Sequence, residues 1–502
     1  MIRHLAIVLL AALASGAEPT HWNQFRGPNG SGWGPGFEPP ITISADNPTW
    51  MAEVPAGHSS PVVWENRVYL TGLESGRLTT VALDAATGKT LWQRQLPAVP
   101  LAKVHPASSP AASTPCVDAD GLYVYFGSFG LVCYAHDGEE RWRRRIPTPK
   151  SMYGMSSSPI VHRGLVYLVL DNDANLPQSR LSQSKVIAVN KNTGRSNWET
   201  QRPYNRSGWS TPVLWKPDGG LQLVVFGNGR AYGYDARTGT EEWYANGFSR
   251  ETIAIPVIGD GRIYLSASRQ GGTGEEKIDP LPFWEAVLPF DKNGDGRVAR
   301  EEISKDFTIP FRPELPIGHP GYGMPLPKDP KRRRERQQGL FRWRDKNRDG
   351  FWTKEEFISD MMVGRGRPNL AAVRPGGRGD ITESHVDWNL RSGIPEIPSP
   401  LYYQNRIYLV RAGGVLSCVD TKDGRVVYRE RLDAPGQYSP SPVAANGHIY
   451  LVSSRGKISI VKSGDEFEIV IQVDLKQPVP ASPAMDADTL YIRTAKGLLA
   501  FR

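Results

Sequence analysis

The chain has 502 residues, with 51 Gly, 42 Pro, 14 Trp and only three Cys. Its 39% hydrophobic and 10% aromatic content excludes a disordered chain, and three Cys cannot staple this length, so the core must come from apolar burial. The net charge of +8 is 60 basic against 52 acidic residues, mostly interspersed, and gives no ground for a nucleic-acid partner; the one dense run, Lys331 to Arg336, reads as a solvated helix or linker face.

Arg3 and His4 precede an apolar run from Leu5 to Leu13 and the small residues Ala14-Ser15-Gly16-Ala17. That is the pattern of a secretory signal peptide, so residues 1–17 are read as cleaved near Ala17 and the mature protein as periplasmic or secreted. The run is too short for a permanent span, and no later segment reaches the ~20 apolar residues that a transmembrane helix needs. Leu13-Ala14-Ser15-Gly16 resembles a lipoprotein signal, but Ala17 stands where the lipidated Cys would be. Residues 18–57 form an N-terminal segment. Within it, Pro48 to Pro55, with Trp50 and Met51, reads as an outer strand that has lost its own unit.

From residue 58 the sequence repeats. A Ser/Thr-Pro-apolar element recurs at Pro61, Pro115, Pro159, Pro212, Pro256, Pro400, Pro442 and Pro483, with Ile255 replacing the hydroxyl residue in the fifth copy. A turn and an aromatic strand follow most copies, as in Val68-Tyr69-Leu70 and Ile449-Tyr450-Leu451. Alternating apolar and polar residues there predict half-buried strands. A third element, Ala82-Leu83-Asp84 through Thr87-Gly88 to Trp92, returns at Asn190 to Trp198, Asp235 to Trp243, Cys133 to Trp142 and Cys418 to Tyr428. It reads as strand, hairpin turn, and a last strand with one large aromatic that packs between units. Successive copies lie 41 to 54 residues apart except for one interval of 144. Four strands per unit at that spacing predict an all-β fold, an eight-bladed propeller closed by the Trp50 strand. Blades one to the start of five span residues 58–269, and the end of five to eight span 381–502. Cys133 and Cys418 fall in a small-residue slot of the repeat, while Cys116 and Cys133 in one unit leave room for a disulfide.

The long interval, residues 270–380, carries Asp291-Lys292-Asn293-Gly294-Asp295-Gly296 ending at Glu302, and Asp345-Lys346-Asn347-Arg348-Asp349-Gly350 ending at Glu356. Both satisfy the EF-hand calcium-loop pattern. A hard cation takes oxygen ligands, so Asp291, Asn293 and Asp295, the Arg297 carbonyl and Glu302 form the first candidate set. Asp345, Asn347 and Asp349, the Phe351 carbonyl and Glu356 form the second. Val298 and Trp352 fall where paired loops touch. Pro289 and Pro310 make the first hand less regular, and Ala299 offers no side chain where Thr353 does. A small α-helical insertion with structural calcium is expected. Gly271-Gly272-Thr273-Gly274 reads as linker, and His105, His136, His162 and His385 show no metal-ligand spacing.

The Ala-x-Asp-x-x-Thr-Gly-x-x-x-Trp stretch resembles the tryptophan-docking motif of PQQ-like, quinoprotein-type eight-bladed propellers, over nearly the whole chain outside the long interval. Trp22-Asn23-Gln24-Phe25-Arg26-Gly27-Pro28-Asn29-Gly30 is similar to the opening of secreted members. The resemblance implies one of two roles. Its enzyme branch, the quinoprotein alcohol and sugar dehydrogenases, holds PQQ over the channel, often under a vicinal disulfide and beside calcium and a catalytic Asp. This sequence has no Cys-Cys pair, its calcium motifs lie in the insertion, and no position matches that Asp, so no catalytic residue is assigned and PQQ is not expected. Its scaffold branch, the BamB-type assembly propellers, binds partners without a cofactor. A non-catalytic scaffold is therefore the expectation, with a protein or extracellular polymer partner at the channel face. The Ser-Pro hydroxyls should rim that face, together with His58, Tyr153 and Trp209.

Overall fold

The structure is a computed structural model that describes residues 21–502 except 152, 173–181, 204, 206–207, 218, 228, 250–251, 269–280, 311–316, 318–322 and 359–367. The signal-peptide reading and the Gly271 to Gly274 linker lie outside the described residues.

The repeat folds into eight four-stranded antiparallel blades of a β-propeller. Blade one runs Val62–Trp64, Arg67–Glu74, Arg77–Asp84 and Thr90–Gln95, and the other blades follow the same meander. Blade eight takes three strands from the C-terminus and its outer strand, Trp50–Ala52, from the N-terminal segment. Trp50 pairs with Ala500, Met51 with Leu499 and Ala52 with Leu498, which closes the ring. The half-buried alternation expected for the second strands is not what they show. Gly121–Phe126 is buried at every residue, and Val68, Tyr69 and Leu70 are fully enclosed. Each blade has a neighbour on both faces, so its middle strands have no solvent side. Alternation survives in outer strands such as Glu140–Arg145.

The turn between the third and fourth strands explains why Thr-Gly precedes Trp. Asp84 accepts hydrogen bonds from the Thr87 backbone and hydroxyl (2.9 and 2.7 Å), and Gly88 adopts φ 71°. Upon this turn the outer-strand Trp of the preceding blade lies flat. The Trp50 indole N–H donates to Ala85 O, Trp92 to His136 O, Trp142 to Lys191 O, Trp198 to Ala236 O and Trp388 to Thr421 O. A side chain at Gly194 would put Cβ 2.6 Å from the Trp142 ring, so only glycine lets the indole down. Opposite each aromatic stands a small residue: Ala82 faces Trp92, Cys133 faces Trp142 and Cys418 faces Tyr428. The disulfide is ruled out by this register. Cys116 and Cys133 pair with Tyr123 from opposite sides, two strand spacings or roughly 9–10 Å apart, and all three thiols are free and buried. Burial pushes the Cys133 and Cys418 thiols up to about 12, so they stay protonated.

Blade five departs from the pattern. Its second strand is Arg262–Ala267 and its third is Asn369–Val373, so the blade resumes inside the 270–380 segment assigned to the insertion. The sequence hid this because no Thr-Gly turn follows. Gly379–Asp380 instead adds a short parallel strand to Trp243 and Tyr244 of blade four. Trp243 has no turn to dock on and donates to Gln222 of its own blade (2.9 Å).

Two measurements check this account. Gly194→Ala should lower unfolding free energy by about 2–4 kcal/mol, combining left-handed strain with overpacking of Trp142. Gly164→Ala, at φ 88° with nothing within 4 Å, should cost only about 1 kcal/mol in the same urea titration. Separately, burial and then Asp488 push the Asp486 carboxyl up to about 6, with Arg502 opposing. The folded state then binds more protons than the unfolded chain between about pH 4 and 6, so Asp486 subtracts stability as pH rises through that window. Asp486→Asn should remove this contribution, so its thermal midpoint gains on the parent's as pH rises from 4 to 7.

Candidate functional site

Around the propeller axis the Ser/Thr-Pro elements meet in a chain of hydrogen bonds that crosses from blade to blade. The backbone N–H of Ser60 donates to Thr114 Oγ1, Thr114 to Ser158 Oγ, and Ser158 to Thr211 Oγ1, each at 2.9 Å. The chain lapses at blade five, where Ile255 has no hydroxyl. It then resumes from Ile255 N–H to Ser399 Oγ (3.1 Å), from Ser399 to Ser441 and from Ser441 to Ser482 (both 2.9 Å). The proline after each hydroxyl residue has no N–H to leave unpaired, and it holds that residue extended.

At the seam between blades eight and one, an arginine replaces the hydroxyl link. Arg493 is fully buried, and its guanidinium donates to Ser59 O (2.8 Å), Ser59 Oγ (2.7 Å), Thr71 O (2.9 Å) and Pro55 O (2.6 Å). No carboxylate among the described residues balances it, and burial lowers its pKa to about 9. Burial and the Arg493 charge lower the His58 pKa as well, which keeps that imidazole neutral at pH 7.

Inside this hub lies a cavity of about 240 Å³ lined from every blade. The structure brings His58, Tyr153 and Trp209 together in its wall with the hydroxyls of Ser60, Thr114, Ser158, Thr211, Ser399, Ser441 and Ser482. Trp209 meets Tyr153 edge-on at 5.3 Å and donates its indole N–H to Gly154 O (2.9 Å), while Tyr153 also meets His105 at 4.9 Å. No Lys, Arg, Asp or Glu among the described residues lines the cavity.

The far end of the channel is closed by a segment whose role the sequence did not disclose. Val63 N–H donates to Trp22 O (2.8 Å), Val117 N–H to Asn23 O (2.9 Å), and the Asn29 amide pairs with Leu214 through both N–H and C=O. Gly30 lies against Ile255, Gly32 against Leu401, and Ala444 N–H donates to Gly32 O (2.8 Å). Residues 22–34 thus cover the inner edges of blades one, two, four, five, six and seven. Phe25 faces the cavity as its floor. Beneath it Arg26 is wholly buried, donating to Gly30 O and Pro442 O (both 3.2 Å), with its pKa lowered to about 9 by burial. The channel is a cup. The segment occurs once, so no internal repeat marked Phe25 or Arg26; only the isolated aromatic and charge in a Gly-rich opening could have.

The insertion carries two loops of the same construction. Helix α1 (Leu281–Glu285) and a 3-10 turn (Leu288–Phe290) lead to the first, and α2 (Pro330–Arg344) and α3 (Lys354–Ile358) flank the second. The first is the less regular, breaking at Pro289 and leaving through a 3-10 turn at Arg300–Glu302. Val298 pairs with Trp352 and Ala299 with Phe351 across the loops. Trp352 stacks on Phe341 at 4.4 Å within a small core that includes Trp284, Val287, Ile303 and Phe357. In the first loop Asp291 accepts from Gly294 (2.8 Å) and Gly296 (2.9 Å), Asn293 from Asp295 (2.9 Å), and Asp295 from Arg297 (2.9 Å). Glu302 accepts from Lys292 (2.9 Å) and Ala299 (2.7 Å). Asp345, Asn347, Asp349 and Glu356 make the matching bonds in the second loop. The side chains are curled inward by their own backbone and all offer oxygen. Among the described residues, however, no three His, Cys, Asp or Glu side chains converge as a metal-holding group.

The family described as outer membrane protein assembly factor BamB matches residues 41–176, 182–285 and 369–501, more than half of the chain and resuming where blade five resumes. The chain belongs to that family. Its fold is similar to that of BamB from Moraxella catarrhalis, at 11% identity and TM-score 0.50, covering 90% of this chain and 97% of that one. It is also similar to Saccharomyces cerevisiae Sqt1, at 9% identity and TM-score 0.52 over 91% and 99%, and to the computationally designed Ika8 protein, at 8% and 0.50 over 90% and 98%. No curated protein matches the chain in sequence. No described helix is long and apolar enough to cross a membrane.

Proposed function

We propose that the protein is an exported, non-catalytic binding or assembly scaffold that receives a protein partner at the open face of the cup and carries calcium in its EF-hand pair. The plugged channel carries this reading. A pocket floored by Phe25 and walled, among the described residues, by hydroxyls and aromatics presents contact surface for a partner. Membership of the BamB family supports a partner-binding role, since that family is described by its part in assembly. Export rests on the Leu5 to Ala17 pattern.

Calcium would be held by Asp291, Asn293, Asp295, the Arg297 carbonyl and Glu302, and by Asp345, Asn347, Asp349, the Phe351 carbonyl and Glu356. The donor chemistry fits a hard cation, and the paired loops already share one core. Binding needs Glu302 and Glu356 to swing from their backbone N–H partners onto the ion. The insertion leaves blade five between its second and third strands, at the end of the blade where the Ser-Pro strand begins. Loaded loops would therefore stiffen an appendage beside the cup mouth.

Two experiments test the reading. Calorimetric titration should show two calcium sites in the parent chain and the loss of one in each of Asp291→Ala and Asp345→Ala; unchanged calcium binding in both variants defeats the EF-hand assignment. Mixing the purified protein with PQQ and calcium should give no bound quinone chromophore. A chromophore that an alcohol or sugar reduces would sink the scaffold reading in favour of a quinoprotein oxidoreductase.

A further inference from the structure

We infer that the cup is a receptor for the C-terminal carboxylate of an extended partner chain, seated with its last apolar side chain against Phe25. This rests on the protein-partner reading above and specifies what part of the partner enters.

Three observations converge. The first is that the channel is blind. Residues 22–34 lie across it, so a polymer cannot thread through and only a chain end fits. A cavity of about 240 Å³ is smaller than the roughly 300–1,000 Å³ of drug-sized sites and suits one terminal residue.

The second is a one-sided hydrogen-bond inventory. Thr114, Thr211, Ser399, Ser441 and Ser482 each accept a backbone N–H from the preceding blade. None of these hydroxyls donates to a described residue, so their hydrogens are left for the cavity. An oxygen that already accepts an N–H is polarised to donate. The wall therefore presents converging donors.

The third is charge. Among the described residues no carboxylate lines the cup, and two fully buried cations border it without a carboxylate partner, Arg26 under the floor and Arg493 behind His58, whereas the buried Asp171 carboxylate packed against Gly208 is paired with Arg202 (2.8 Å). The Nη donors of Arg26 and Arg493 are spent on carbonyls and one hydroxyl while Arg26 Nε has no partner among the described residues, and their field remains; a desolvated positive field favours a bound anion. A chain's ammonium end would meet donors and like charge. Its carboxylate end meets donors and opposite charge, and Phe25 with the lining residues Ile253 and Ile397 offers apolar surface to a side chain.

The test uses the full chain and three peptides, acetyl-Gly-Gly-X with X as Ala, Leu or Phe, each as free acid and as C-terminal amide, followed by calorimetry and tryptophan fluorescence at pH 7. At least one acid should bind about tenfold or more tighter than its amide, the difference expected for a charge-assisted contact. Ser441→Ala with Ser482→Ala should weaken that acid about fivefold or more and leave the amide unchanged. Thermal melting verifies that the variant is folded; if it is not, Thr211→Val alone serves as the replacement. Equal affinities for acid and amide overturn the carboxylate assignment but leave a protein-binding scaffold standing. Binding of no peptide also overturns it, and PQQ binding in the same preparation would remove both readings together.

Discussion

The backbone N–H at the start of each blade must be satisfied at the hub, where the blades crowd together and little water enters. Ser and Thr at that position solve this by receiving the N–H of the blade before, so each blade fixes its neighbour's distance and angle from the axis. A neutral hydrogen bond contributes only about 1 kcal/mol net, but leaving the buried N–H unpaired costs about 1–3 kcal/mol, so the ring resists opening at any one link. The proline that follows removes the next donor from the problem. Where the rule fails, something else stands in: Ile255 ends one run of links, and Arg493 spans the closing seam with four donated bonds.

The rim is held differently from the hub. Indoles lie on glycine turns of the next blade, contributing burial and one hydrogen bond to a backbone carbonyl at each of five junctions. The junction between blades four and five gives up this dock for the Gly379–Asp380 strand, and it is blade five that bears the insertion. A long excursion between the second and third strands leaves both their pairing and the hub untouched, so the sheet forms from Arg262–Ala267 and Asn369–Val373 as if they were adjacent. The excursion then needs a core of its own, which Trp352, Phe341 and their neighbours provide.

Features that repeat were legible in the sequence. Ser-Pro, Asp-x-x-Thr-Gly and Trp named the hub, the turn and the dock because each is a local solution used several times. The paired loops were legible because twelve residues contain their whole hydrogen-bond scheme. What appears once was not. The segment 22–34 that carries Phe25 and Arg26 is placed by residues of six blades, and Arg493 by carbonyls more than four hundred positions away. The third strand of blade five was missed because its usual turn is absent. Burial of the second strands was misread because alternation describes a sheet with one wet face, and these have none.

The strand Trp50–Ala52 pairs with Leu498 to Ala500, which gives the fold a direction in time. The first strand to emerge during synthesis must wait for the last residues before its hydrogen bonds exist. Until then the circle stays open, and blades one and eight each expose an unmatched face. Such long-range closure favours a slow final folding step. A chain built this way remains open until residues 498–500 are made, and the ring locks only then.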